Sequence, residues 1–112
     1  MIRKTLIDYF KTKSDIPIST EIPSNPSKEF VVVSKMGGGM TDMVNVATVN
    51  VRSYSTSALK AAELDEKVQE IIFDSVELDK ISGVKLGGEG SGIDTSNKRY
   101  MSESIFNIYY YK

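Results

Sequence analysis

Carboxylates, lysines, arginines, tyrosines and hydroxyls are the side chains with which this chain could do chemistry. Its 112 residues include no cysteine, histidine or tryptophan. Without cysteine there are no disulfides, thiolate nucleophiles or thiolate zinc sites. Without histidine there are no Ser-His-Asp triads, His-metal clusters or ordinary imidazole proton shuttles. Paired carboxylates of the kind that hydrolyse glycosides remain. The densest acidic run is Glu63, Asp65, Glu66, Glu70, Asp74, Glu77 and Asp79, broken only by Lys67. Neither this run nor Asp94 follows a calcium-loop spacing, and no substrate cleft is legible around it. The run reads as a solvated helix face. The chain therefore reads as a non-enzyme with no cofactor and no metal, and a small carboxylate-dependent enzyme stands as the alternative.

Two glycine clusters suggest phosphate binding, but their spacing does not support it. Gly37, Gly38 and Gly39 are not followed by the Lys and Ser or Thr of a Walker loop. In the run from Gly88 through Glu89, Gly90, Ser91 and Gly92, Ile93 stands where the dinucleotide fingerprint needs its third glycine. Neither cluster opens a helix, as anion binding at a helix start requires. Both read as mobile loops that order against a partner, lying at one end of the sheet or projecting from it. Met36, Met40 and Met43 offer adaptable apolar contacts around the first. Tyr109, Tyr110 and Tyr111 are either strand packing or an interface, where tyrosine is enriched.

These residues must be positioned by a small set of elements. Residues 46–54 alternate as a half-buried strand, with Ala47, Val49 and Val51 facing the core and Thr48, Asn50 and Arg52 facing away. Residues 58–73 follow as an amphipathic helix, with Ala61, Leu64, Val68, Ile71 and Ile72 as its stripe. One of Ser55, Thr56 or Ser57 caps it. Glu63 and Lys67 have the spacing of a surface pair. Residues 1–11 form a short helix with Ile2, Leu6, Tyr9 and Phe10 on one stripe. Residues 16–22 make a short edge strand before a polar loop marked by Pro23 and Pro26. Residues 29–35 form a buried strand that the first glycine cluster stops. Residues 40–45 complete a flexible hairpin connection. Residues 81–86 and 99–111 are the last two strands, separated by the second glycine cluster. The fold expected is α+β. A mostly antiparallel sheet of about four to five strands packs with an N-terminal helix and a central amphipathic helix, as a single domain over residues 1–112.

Composition bounds the class. The apolar fraction of 40% and charged fraction of 26% are those of a soluble globular protein. No apolar run is long enough for a membrane helix or a signal peptide. The net charge of −1 argues against nucleic-acid binding driven by bulk charge. The charge is unevenly spread, with Arg3, Lys4, Lys11 and Lys13 near the N-terminus and the acidic run on the second helix. These are either two solvated faces or opposite poles that help identical copies meet head to tail.

Three stretches carry a resemblance. They are Ala47-Thr48-Val49-Asn50-Val51-Arg52-Ser53-Tyr54 with Ala61-Ala62-Glu63-Leu64-Asp65-Glu66-Lys67-Val68; Asp94-Thr95-Ser96-Asn97-Lys98-Arg99-Tyr100 with Ile105-Phe106-Asn107-Ile108-Tyr109-Tyr110; and Phe30-Val31-Val32-Val33 before a lysine and a glycine turn. Together the chain resembles the tail terminator family of long-tailed bacteriophages, also called tail-completion or tail-to-head joining proteins. The resemblance covers nearly the whole chain and lies in scaffold residues rather than in a catalytic motif. It implies a virion protein, assembled in the host cytoplasm, that forms a homo-oligomeric ring, commonly a hexamer. That ring would sit on the head-proximal end of the tail tube, stop tube polymerisation and meet the head connector protein. Genomic DNA would pass through its lumen without sequence-specific binding, and no membrane is involved. On this reading Gly37, Gly38, Gly39, Met40, Asp42, Met43, Gly88, Glu89, Gly90, Asp94 and Lys98 are candidate contacts with the tube or connector. Arg3, Lys4, Lys11, Glu63, Glu66 and Glu70 are candidate charges between ring neighbours. Another head–tail connector component, a stopper or adaptor, is the nearest alternative, and a generic host binding module a more distant one.

Overall fold

A computed structural model describes residues 2–41, 44–95 and 98–111. The elements follow the expected order: α1 (Ile2–Lys13), β1 (Ile18–Ser19), β2 (Phe30–Thr41), β3 (Val44–Ser55), α2 (Ala58–Asp74), β4 (Ile81–Asp94) and β5 (Arg99–Tyr110), with a 3-10 turn at Ser75–Glu77. The five strands form one sheet in the order β1-β2-β3-β5-β4. Every pairing is antiparallel except that of the two-residue β1 with β2. This is an α+β fold.

The unit of β3 and α2 sets the architecture. Only Thr56 and Ser57 separate them, and Ser57 is the cap, its hydroxyl accepting the Lys60 amide at 3.1 Å. That bond satisfies one of the amides a helix start leaves free. The backbone N–H of Ser75 closes the other end on Ile72 and Phe73. Ala61, Leu64, Val68 and Ile72 are buried, whereas Ile71 is only partly so. Glu63 and Lys67 are both exposed, and no ion pair joins them. Packing therefore holds α2, each fully buried aliphatic side chain contributing roughly 1.5–3 kcal/mol as an upper figure.

Both helices lie on one face of the sheet. Ile2, Leu6 and Phe10 of α1 and Leu64, Val68 and Ile72 of α2 share one core with Val31, Val33, Ala47, Val49, Val51, Phe106 and Ile108. The alternate strand positions build a second, smaller cluster of Phe30, Val32 and Tyr54, with Met101 against it. Val31, Val32 and Val33 are all fully buried, as the unbroken apolar run suggests.

The glycine clusters depart from expectation. Neither is a loop: β2 runs through Gly37, Gly38 and Gly39, and β4 runs through Gly87, Gly88, Gly90 and Gly92. Described glycines all have negative φ, so none needs a turn conformation. A glycine in a strand costs roughly 0.5–1 kcal/mol, but each partner strand continues opposite it. Gly37, Gly38 and Gly39 pair with Thr48, Ala47 and Val46, and Gly88 and Gly90 pair with Ile105 and Glu103. The ladder carries the backbone past the weak positions, with register shifts at Lys35/Gly37, Ile81/Gly83 and Leu86/Gly88. The flexible connection expected over residues 40–45 shrinks accordingly. Thr41 pairs with Val44, and Asp42 and Met43 lie outside the described residues. No helix among the described residues is long and apolar enough to cross a membrane.

Candidate functional site

Pairing along β3 places the two glycine segments. Gly39 is level with Val46, which is level with Tyr109 of β5. Gly90 is level with Glu103, which is level with Arg52. The first segment thus lies where β2 and β3 meet, and the second runs from mid-sheet to the opposite end, where β4 meets β5. They do not form one surface. Met40 extends the first segment and is exposed; Glu89 and Asp94 belong to the second. Lys98 sits in the following turn with a left-handed backbone, φ 57°, a conformation uncommon outside glycine and asparagine.

The charges expected at ring edges are carried by neighbouring helices. α1 packs on β1 and β2, α2 packs on β3 and β5, and the helices touch each other. Lys4 is taken up by Asp8 at 2.7 Å on its own helix. Lys13 of α1 reaches Glu77, beyond α2, at 3.6 Å, so part of the opposite charge is paired within one chain. Lys11, Glu63, Glu66 and Glu70 are exposed, and Arg3 is half-buried.

One buried polar group with several partners escaped the sequence reading. Asp65 of α2 is buried against β5 and β4. Ser104 Oγ donates to its two carboxylate oxygens at 2.8 and 3.0 Å. Gln69 Nε2, one helical turn on, lies 3.0 Å from Asp65 Oδ2, 2.7 Å from Glu89 Oε1 and 2.8 Å from Ser104 Oγ. One amide therefore joins two carboxylates and a hydroxyl. Burial raises the Asp65 pKa; the hydrogen bonds from Ser104 and Gln69 pull it back, and the charges of Glu89 and Glu66 push it up again. The signal was present in the sequence. Asp65 falls four after Ala61 and three before Val68, inside the apolar stripe. A carboxylate there must find donors or stay protonated.

An open cleft of about 550 Å³ separates α1 from the turn before β4, lined by Thr5, Asp8, Tyr9 and Thr12 against Glu77, Leu78, Asp79 and Lys80. Burial, and then the neighbouring Glu77 and Asp74, push the Tyr9 phenol up. Lys13 stands over its ring at 5.4 Å. No group of three or more acidic side chains among the described residues is arranged to hold a metal ion. A smaller groove, of about 360 Å³, runs between the first turns of α2 and the β4–β5 end, lined by Ala58, Ala62, Ser91, Gly92, Ile93, Tyr100, Met101 and Ser102.

Asp65 and Glu89 are tied to a shared amide, the cleft beside α1 carries Asp8, Glu77 and Asp79, and the apolar groove has no charged residue in its lining. No protein-family model and no curated protein matches the chain.

Proposed function

We propose that this chain is a structural subunit of a phage neck. It assembles into a ring on the head-proximal end of the tail tube, ends tube polymerisation and joins the tail to the head connector. One observation carries the reading. Three of the runs that resemble tail terminators, residues 47–54, 61–68 and 105–110, fall on β3, α2 and β5, three elements that pack directly on one another. The likeness therefore describes a contiguous scaffold rather than scattered positions. The exposed charges of α2 and the apolar surfaces at the two ends of the sheet support an assembly role, since a ring needs two different surfaces on each subunit.

Virions made without this protein, viewed by electron microscopy, test the role. Free heads with overlong or aberrant tails are the expected result, and normally joined particles refute it. Binding of the purified protein to tail tubes rather than to portal complexes separates a terminator from a stopper or adaptor.

A further inference from the structure

The four most exposed large apolar side chains among the described residues are Leu59 (70%), Ile93 (65%), Met36 (58%) and Met40 (55%). They fall into two pairs. Met36 and Met40 lie on the glycine-rich half of β2, and among the described residues no strand pairs with the outer edge of that half, because β1 reaches only Val31 and Val32. Ile93 lines the groove beside Tyr100, and Leu59 lies in the first turn of α2 next to it. The first pair lies on an edge arm of the sheet, held on its inner side by β3, and the second borders a concavity.

The arm cannot reach its own groove. Met40 is level with Asn45 of β3, and Ile93, through Tyr100, is level with Ser55. The advance of ten residue positions from Asn45 to Ser55 spans about 33 Å of extended strand, in a molecule 43 Å along its longest axis. Only a second molecule can bring the two surfaces together. The charges agree with that pairing. Lys35 is exposed on the arm, whereas Glu66, one turn beyond Ala62, and Glu89, two residues before Ser91, flank the groove. Methionine suits such a contact because its flexible thioether adapts to an irregular cavity.

We propose that the β2 arm of one copy, through Met36 and Met40, docks in the groove between α2 and β4 of a second copy, beside Ile93 and Tyr100. The contact is heterologous: each copy offers an arm to one neighbour and a groove to the other, so it repeats and closes a ring if the rotation allows. As the contact that closes the proposed ring it rests on that reading; as a pairing of two copies it is measurable without it. Two methionines bury far less than the roughly 1,200–2,000 Å² of a stable interface, so the pair is weak alone and adds up where several copies are held together.

The absence of cysteine makes thiol trapping clean. Met40→Cys and Ile93→Cys variants are purified separately, mixed and oxidised. The mixed dimer is expected to form at about ten times or more the rate of a control mixture of Thr20→Cys with Ile93→Cys, because docking raises the effective thiol concentration. Adding Ala62→Glu to the Ile93→Cys variant should return the rate to the control value. Equal rates in the test and control mixtures overturn the proposal. The two readings fail separately. Trapping at the control rate by a protein that still caps tail tubes defeats this contact alone. Fast trapping by a protein that leaves tubes uncapped defeats the neck role alone.

Discussion

Ser104 Oγ stands 2.8 and 3.0 Å from the two carboxylate oxygens of Asp65, one hydroxyl proton serving both. The charged groups that act on Asp65 are Glu89 and Glu66, both negative. The pair thus anchors α2 to β5 through a carboxylate that holds its proton more tightly when folded than when unfolded.

Stability should therefore depend on pH through Asp65. Its folded pKa lies above the ordinary 3.8. Its contribution is complete below that value and is lost as the pH rises through the folded one. Asp65→Asn removes this titration while keeping an acceptor for Ser104. Urea unfolding from acid to neutral pH should show a flatter profile in the variant, with stability at pH 7 within about 1 kcal/mol of the parent. An unchanged slope would show that Asp65 does not titrate with folding.

Gly37 and Gly38 are neighbours with opposite tolerance. A Cβ on Gly38 would lie 2.7 Å from the Val46 carbonyl oxygen, whereas one on Gly37 meets nothing within 4 Å. Gly38→Ala should cost about 1–3 kcal/mol as the backbone shifts. Gly37→Ala should be neutral or stabilise by about 0.4–1 kcal/mol, by restricting the unfolded chain. Thermal melts of the two variants check this. Identical midpoints would mean that the segment is a loop in solution.

The rings of Phe30 and Tyr54 stack with centroids 4.6 Å apart and planes 11° from parallel. Tyr54→Ala should cost about 3–5 kcal/mol. A double-mutant cycle with Phe30→Ala should give a coupling of roughly 0.5–1.5 kcal/mol beyond burial. Additive losses would mean that the rings are only separate fillers of the second cluster.

Leu64 and Ile71 share a helix stripe but not a degree of burial. Leu64→Ala should lose about 2–5 kcal/mol. Ile71→Ala should lose less, because part of its side chain already meets water. Chemical denaturation that found Ile71 the costlier site would put the helix in a different rotation.

Much of this was legible one element at a time. Alternation over Ala47, Val49 and Val51, the stripe of Leu64, Val68 and Ile72, and the hydroxyl before Ala58 are local signals. They hold because a strand repeats every two residues and a helix every 3.6. The glycine runs misled because local propensity favours loops there, while the ladder to Val46, Ala47 and Thr48 is made by a different segment. Asp65 was absorbed into an acidic run because its neighbours Glu63 and Glu66 face water.

The sequence by itself determined the elements, their order and the apolar faces that meet, and with the absent histidine and cysteine it narrowed the available chemistry. Only the tertiary structure decided that the glycine segments are strands and lie toward opposite ends of the sheet. It alone placed Asp65 against Ser104, 39 residues away, and set Met40 and Ile93 too far apart to meet within one molecule. Periodicity is a property of neighbours along the chain. Strand register is a property of partners far apart in it, settled only when the whole sheet has formed.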